Sequence, residues 1–264
     1  MRTGLGTVKR VEHIWGTVVS LDVVGDDVAD GVVDDVFTWF DRVDSLFSTW
    51  RDDSEIVRLA RGTLALAQAS PETRTVLDLC WTLAAVTDGA FDVGAAALLP
   101  PPHPAGWCPL DPSAVVKGWA LDRAAEQLQD AGIRRFCMNA GGDVRVGRGP
   151  EPGQPWRVGV RHPWQVDRLA AVVEVVDAAV ATSGRYERGD HIVDPRSGRP
   201  ATGLASVTVV SADLATADAY STAVLALGCD GVDWLAGHGE VDAMAITDDQ
   251  QVFTTAGFNR HRAR

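Results

Sequence analysis

In the stretch TADAYST (216–222), Asp218 and Thr222 stand four residues apart. On a helix that spacing puts a carboxylate and a hydroxyl on one face. Both are hard oxygen donors, and magnesium commonly takes one or two such ligands and completes its shell with water and substrate phosphate. The plainer reading makes Asp218 a first-turn acid that favours the helix dipole. A second stretch, MNAGGDVRVG (138–147), sets Asn139, Gly141, Gly142 and Asp143 between two strand-like runs. The glycines would let backbone approach a ligand whose polar edges Asn139 and Asp143 read; equally, they suit a hairpin turn at positive φ. Thr182, Ser183 and Gly184 end a run of small residues with two hydroxyls and with free N–H groups suited to phosphate oxygens. His191 sits in a short HIV run ahead of the Asp194-Pro195 turn. A histidine there is either a satisfied core residue or a general base near neutral pH. Lys117 and Lys9 are the only lysines in a chain that otherwise uses arginine. Lys117 falls near an expected helix start, where backbone N–H groups bind anions and the dipole disfavours a cation unless something negative is close. The alternative is a solvated surface lysine.

The elements that must position these groups follow from periodicity. Residues 14–24 (IWGTVVSLDVV) are rich in β-branched residues and predict an opening strand. A helix follows over about 27–47, with Val32, Val36 and Phe40 in one row, Val33 and Phe37 in a second, and Val43 and Phe47 in a third. Another is expected from about 71 to 87, opened by Pro71 and closed by Asp88-Gly89. LPPPHPAGWCPLDP (99–112) cannot be regular structure, because each proline removes a backbone donor. It is a surface loop or a join between halves. A third helix spans about 116–131, closed by Gly132, and thereafter strands dominate: RFCMNA, DVRVG, WRVGVR, LAAVVEVV, AVATS, SVTVVS, AMAIT and VFTT. One helix, at about 216–227, interrupts them. Helices early and strands late indicate an α+β fold, not a doubly wound parallel sheet.

Composition narrows the function. At 264 residues the chain can bury a substantial core. A net charge of −12 argues against broad nucleic-acid or anionic-membrane binding, since phosphate backbones reward clustered cations. Four cysteines without a C-x-x-C pair, each flanked by small or apolar residues, predict buried thiols, not a zinc site or a disulfide framework. No run approaches the roughly 20 apolar residues of a membrane helix, and the N-terminal residues have no apolar signal core or lipid-attachment cysteine, so the expectation is a cytoplasmic protein without a membrane anchor. There is no G-x-G-x-x-G, P-loop, H-E-x-x-H or G-x-S-x-G motif. A nucleotide site here must be built another way.

The order of the stretches is more specific than any one of them. WGT (15–17), FSTWRDDSEIVRLARG (47–62), TDGAFDVGAAAL (87–98), SAVVKGWALD (113–122), NAGGD (139–143), ATSGRYE (181–187), HIVDPRSGRPA (191–201) and ADAYSTAVLALG (217–228) follow one another as in the ApbE family of FAD:protein FMN transferases, which the chain resembles from about residue 13 to 258. The resemblance implies an α+β fold over 1–264, a single ApbE-like domain with a mixed or antiparallel sheet, packed helices and an internal Pro-rich loop. It implies FAD as substrate and Mg²⁺ held by Asp218, Thr222 and the carbonyl of Val116. Trp15, Asp92, Lys117, Asn139, Gly141, Gly142, Asp143, Thr182, Ser183, Gly184, His191 and Asp194 would bind FAD, and His191 with Asp218 would carry the chemistry, His191 as base for the acceptor hydroxyl. The implied partner is an acceptor protein bearing a D-G-x-(S/T)-G-(A/S)-T segment. The chain departs from the family pattern in Trp15 for Met, Asp88 for Glu, Gly94 for Thr, and Pro112-Ser113-Ala114 for a glycine pair. An FAD pyrophosphatase and a non-catalytic FAD-binding protein are the alternatives.

Overall fold

A computed structural model describes residues 6–25, 31–98, 101, 107–188 and 192–263. Two strands open it, β1 (Thr7–Ile14) and β2 (Thr17–Val24), joined by Trp15 and Gly16 at φ 57° and 70°. The single strand expected over 14–24 is therefore a strand plus a two-residue hairpin turn. That turn needs positive φ at both central residues, and tryptophan in place of the usual Asn hides the signal.

Four helices come next: α1 (Val32–Phe47), α2 (Glu55–Ala60), α3 (Pro71–Val86) and α4 (Ser113–Asp130). The expected start of α1 at about 27 lies outside the described residues; the rows from Val36 to Phe47 are buried as the spacing predicts. In α4 the first turn forms three residues early, with Pro112 at the N-cap and the Asp111 carboxylate accepting the Ser113 N–H at 3.0 Å.

The second half supplies β3 (Phe136–Ala140), β4 (Asp143–Val146), β5 (Trp156–Arg161), β6 (Leu169–Val175), β7 (Ala179–Gly184), α5 (Arg185–Arg188), β8 (Val193–Asp194), β9 (Arg199–Pro200) and β10 (Leu204–Ser211). It ends with α6 (Leu214–Leu227), α7 (Cys229–Ala236), β11 (Asp242–Thr247) and β12 (Val252–Thr254). Eight strands form one sheet in the order β1-β2-β3-β4-β7-β10-β11-β12, every neighbouring pair antiparallel.

Period-two alternation sends side chains to two cores. On one face Val19, Leu21, Met138, Ala181 and Val207 pack under the helices. On the other, Val144, Val146, Val180, Val210 and Ile246 meet Val158, Val160 and Val173 of the β5–β6 hairpin, together with Phe258. Because α6 lies between α4 and strands β7 and β10, it is buried nearly all round. Helix α7 was not foreseen: it is short and carries a mid-helix glycine. A Cβ on Gly231 would sit 2.6 Å from the Val224 carbonyl, so only glycine lets α7 pack on α6. Among the described residues no helix is long and apolar enough to cross a membrane. Of the thiols expected to be buried, Cys80 and Cys108 are, Cys137 is partly so, and Cys229 is exposed.

Candidate active site

Helix α6 begins two residues ahead of its expected start, because Asp213 caps it by accepting the Thr216 N–H at 2.8 Å. The i, i+4 placement of Asp218 and Thr222 is kept, and Asp218 is buried, its side chain 7% exposed. A carboxylate so far from water needs compensating charge. Lys117, the fifth residue of α4, supplies it, its Nζ 3.4 Å from Asp218 Oδ2 and in close contact with Asp143 Oδ2. The negative neighbour implied by a lysine near a helix start is thus two aspartates. Burial alone would lower the Lys117 ammonium; the Asp218 and Asp143 carboxylates outweigh it and push it up, so the side chain stays cationic.

Asp143 reaches this cluster because the β3–β4 hairpin turns at Gly141 and Gly142, with φ 62° and 104°. The hairpin reading of NAGGD therefore holds, and the turn delivers Asp143 to Lys117. Asn139, by contrast, faces its own turn, accepting the Gly142 N–H at 2.9 Å. Gly141 lies so near Thr17 that a Cβ would fall 2.7 Å from its hydroxyl, which joins this turn to the Trp15 hairpin. The other oxygen of Asp143 accepts the Thr182 N–H at 3.0 Å. That amide, expected to be free for phosphate, is already taken.

Hydroxyls complete the cluster. Ser183 Oγ lies 2.8 Å from Ser221 Oγ and 3.2 Å from Thr222 Oγ1, and Ser221 Oγ donates to the Asp218 carbonyl at 2.9 Å. Thr182, on the opposite face of β7, pairs with Thr208 at 2.9 Å. At Gly184 a Cβ would fall 2.4 Å from the Tyr186 ring, so glycine permits the turn into α5.

The remaining expected residues make contacts of their own. Asp92 is exposed and accepts the Gly94 N–H at 2.7 Å. Asp194 is held by Arg196 through two side-chain bonds, at 2.9 and 3.2 Å; that pairing, outweighing burial, keeps its carboxyl below the usual carboxylate range. Strand β8 touches α6 and the turn Ala95–Leu98, which brings the loops of Asp92 and Asp194 beside each other. Trp15 packs edge-on against Phe40 at 5.2 Å, and its buried Nε1 has no hydrogen-bond partner among the described residues. Val116 is the fourth residue of α4, so its carbonyl belongs to the helical ladder. His191 lies outside the described residues.

A cleft of about 520 Å³ lined by Gly203, Cys229, Asp248 and Phe253, and one of about 200 Å³ lined by Trp164, Arg185, Tyr186 and Asp248, open beyond the end of β7. Lys117, Asp143 and Asp218 line neither; their cluster is in the packed layer between α4, α6 and the sheet.

Reasoning from motifs missed Asp122, Arg145 and Ser221. For Arg145 a signal existed: it shares the parity of Asp143, opposite Val144 and Val146, on a strand whose two faces are both covered. Asp122 had none, since its partner amides are at Leu214 and Ala215.

The chain thus combines an antiparallel eight-stranded sheet with a Lys–Asp–Asp cluster under its helices, and its sheet-and-helix architecture is one found among solved structures. The ApbE family profile matches residues 15–100 and 104–245. The curated relatives include FAD:protein FMN transferase of Vibrio cholerae, 29% identical over 263 residues that span 79% of this chain and 78% of the relative. FAD:protein FMN transferase of Rhodobacter capsulatus is 41% identical over 157 residues, spanning 55% of this chain but only 29% of that longer protein. Among solved structures, flavin transferase ApbE from Vibrio cholerae superposes with a TM-score of 0.83 at 24% identity, covering 97% of this chain and 99% of that one. The ApbE protein of Thermotoga maritima gives 0.84 at 24% identity, covering 98% and 100%. The chain belongs to the ApbE family, whose curated relatives carry the name of a transferase.

Proposed function

We propose that this chain is an FAD:protein FMN transferase that uses Mg²⁺ and passes FMN from FAD to a Ser or Thr hydroxyl of an acceptor protein, releasing AMP. The observation that carries this reading is the convergence of Lys117, Asp143, Asp218, Ser183 and Thr222 from four elements, in a chain of this family.

The charge balance supports a cation. Two carboxylates face one ammonium, which leaves about one negative charge in a buried site, and that invites a metal ion before it admits a diphosphate. Asp218 and Thr222, both hard oxygen donors, suit Mg²⁺ and would hold it, with the Val116 carbonyl as a further oxygen. Bound there, Mg²⁺ would neutralise diphosphate charge. Among the described residues no group of three or more His, Cys, Asp or Glu is arranged for a metal, so the set rests on one carboxylate with neutral oxygens, as magnesium sites commonly do.

The protein's own part is to bind and orient. Lys117 holds Asp143 and Asp218 in place, and the Ser183 hydroxyl is fixed by Ser221 and Thr222. In the transfer, the acceptor oxygen attacks the phosphorus of the FMN half, the diphosphate bond breaks and AMP leaves with the electron pair. The hydroxyl proton goes to His191, because a neutral hydroxyl is a poor nucleophile near pH 7. The acceptor is a flavoprotein with a D-G-x-(S/T)-G-(A/S)-T segment.

The test is to incubate the chain with FAD, Mg²⁺ and a peptide carrying that segment, then weigh the peptide and chromatograph AMP and FMN. The peptide should gain the mass of FMN less one water, with stoichiometric AMP. AMP and free FMN at equal rates with and without peptide would make the chain a pyrophosphatase. Bound FAD without AMP release would make it a flavin-binding protein.

A further inference from the structure

One carboxylate outside the cluster ties together the elements that carry it. Asp122 lies on α4 one turn beyond Gly118, its side chain 17% exposed. Both of its oxygens accept the Leu214 N–H at 2.9 Å, one accepts the Ala215 N–H at 3.0 Å, and Arg145 Nε donates to it at 3.0 Å. Leu214 and Ala215 open α6, so an acid from α4 satisfies first-turn amides that the helix cannot satisfy itself. Arg145 follows Asp143 by two residues on β4 and shares its face. Its Nη1 also donates to the carbonyls of Val146, at 2.6 Å, and Ala178, at 3.1 Å, the latter just before β7. The carriers of Lys117, Asp143, Ser183 and Asp218 all meet at this one carboxylate–guanidinium pair. Gly118 adds to the same joint: a Cβ there would lie 2.6 Å from the Leu214 carbonyl.

We propose that Asp122 and Arg145 form a positioning pair that sets where Asp218 stands against Lys117 and Asp143, and so tunes the cation site; the cation part rests on the function proposed above. Stability alone explains such a pair poorly. Desolvation pushes the Asp122 carboxyl up to about 6, although the Leu214 and Ala215 amides and Arg145 pull it down. Apolar residues often replace buried ion pairs without loss of stability, whereas fixing the register of elements is their best-attested use.

The experiment exploits the two lysines. In the full chain without metal, limited acylation with acetic anhydride is followed by mass spectrometry of Lys117 against Lys9, which is 62% exposed and serves as internal standard. Asp122→Asn should raise Lys117 acylation several-fold relative to Lys9, because α6 no longer holds Asp218 against the ammonium. Arg145→Lys, which keeps the charge but loses the fork, should give a smaller rise and serves as the reporter if Asp122→Asn does not fold. Phe258→Leu, which loosens the second core only, should leave the ratio unchanged. An unchanged ratio in the folded Asp122 and Arg145 variants, or an equal rise in Phe258→Leu, overturns the positioning role.

A second arm titrates Mg²⁺ by calorimetry in the presence of FAD, where loss of a supporting group costs about 10- to 100-fold in metal affinity. An unshifted midpoint in Asp122→Asn overturns the tuning of the cation site. A wild type that takes up no Mg²⁺ sinks the functional reading instead, and the acylation arm still decides the positioning role.

Discussion

Gly118→Ala probes the joint between α4 and α6 with a single methyl. The added Cβ would meet the Leu214 carbonyl carbon and oxygen at 2.6 Å and the Ala215 Cα at 2.7 Å. Ordinary contact begins near 3.4 Å, so the helices must part by about 0.8 Å. All three atoms are backbone, so no side chain can swing aside. Overpacking of this kind costs about 1–3 kcal/mol. For a chain of this size that is about 2–4 °C in Tm per kcal/mol, a loss near 2–12 °C. Parting also stretches the Lys117–Asp218 contact beyond its present 3.4 Å. Mg²⁺ affinity should therefore fall more than the loss of folded protein explains. Scanning calorimetry with and without Mg²⁺ and FAD reads both effects. A variant whose Tm and Mg²⁺-induced rise in Tm both match wild type would show that α4 and α6 are not held at this distance, and the reasoning would fail.

Asp218→Asn keeps the volume and removes the charge; Mg²⁺-dependent AMP release from FAD should drop to background with little change in circular dichroism, and retained release takes Asp218 out of the metal site. His191→Ala should still bind FAD while losing about 10²–10⁴-fold in acceptor modification; full modification by mass spectrometry would leave the base unassigned. Asp122 makes a pH prediction with a definite sign. Its folded carboxyl, raised to about 6, binds its proton more tightly than the unfolded one, so its contribution is fully present at low pH and is lost as pH rises through about 6. Denaturant unfolding of the metal-free chain should show the stability of wild type relative to Asp122→Asn falling by up to about 3 kcal/mol between pH 4 and 7. A relative stability that rises over that range would refute the burial argument.

The sheet was legible because alternation is a local signal, and every strand expected after residue 135 formed. What failed was the punctuation. Trp15 occupies a left-handed position normally marked by Asn or Gly, which hid β1, and Gly231 inside α7 read as a breaker although close packing demands it. At the site, the Asp218/Thr222 spacing and the oddity of Lys117 could be read directly. The occupied Thr182 amide could not, because its partner Asp143 lies on another strand. Asp122 is the extreme case: nothing within SAVVKGWALD announces a bond to an amide 92 residues away.

The departure at Pro112-Ser113-Ala114 takes on meaning from the same geometry. With Pro112 at the N-cap and both Val115 and Val116 donating to its carbonyl at 2.9 Å, the first turn of α4 is formed where the family pattern has a glycine pair. The Val116 carbonyl, three residues into that helix, is the ladder acceptor for Ala120. A carbonyl has two lone pairs, so the Val116 oxygen keeps one that the helical ladder does not use. Helix α6 packs against α4 here, with Asp218 Oδ2 3.4 Å from Lys117 Nζ. A helix begun early therefore makes the Val116 carbonyl a rigid part of the frame, its position fixed by the same α4–α6 contact that Gly118 and Asp122 maintain, and under the function proposed above this oxygen would be preset for the cation.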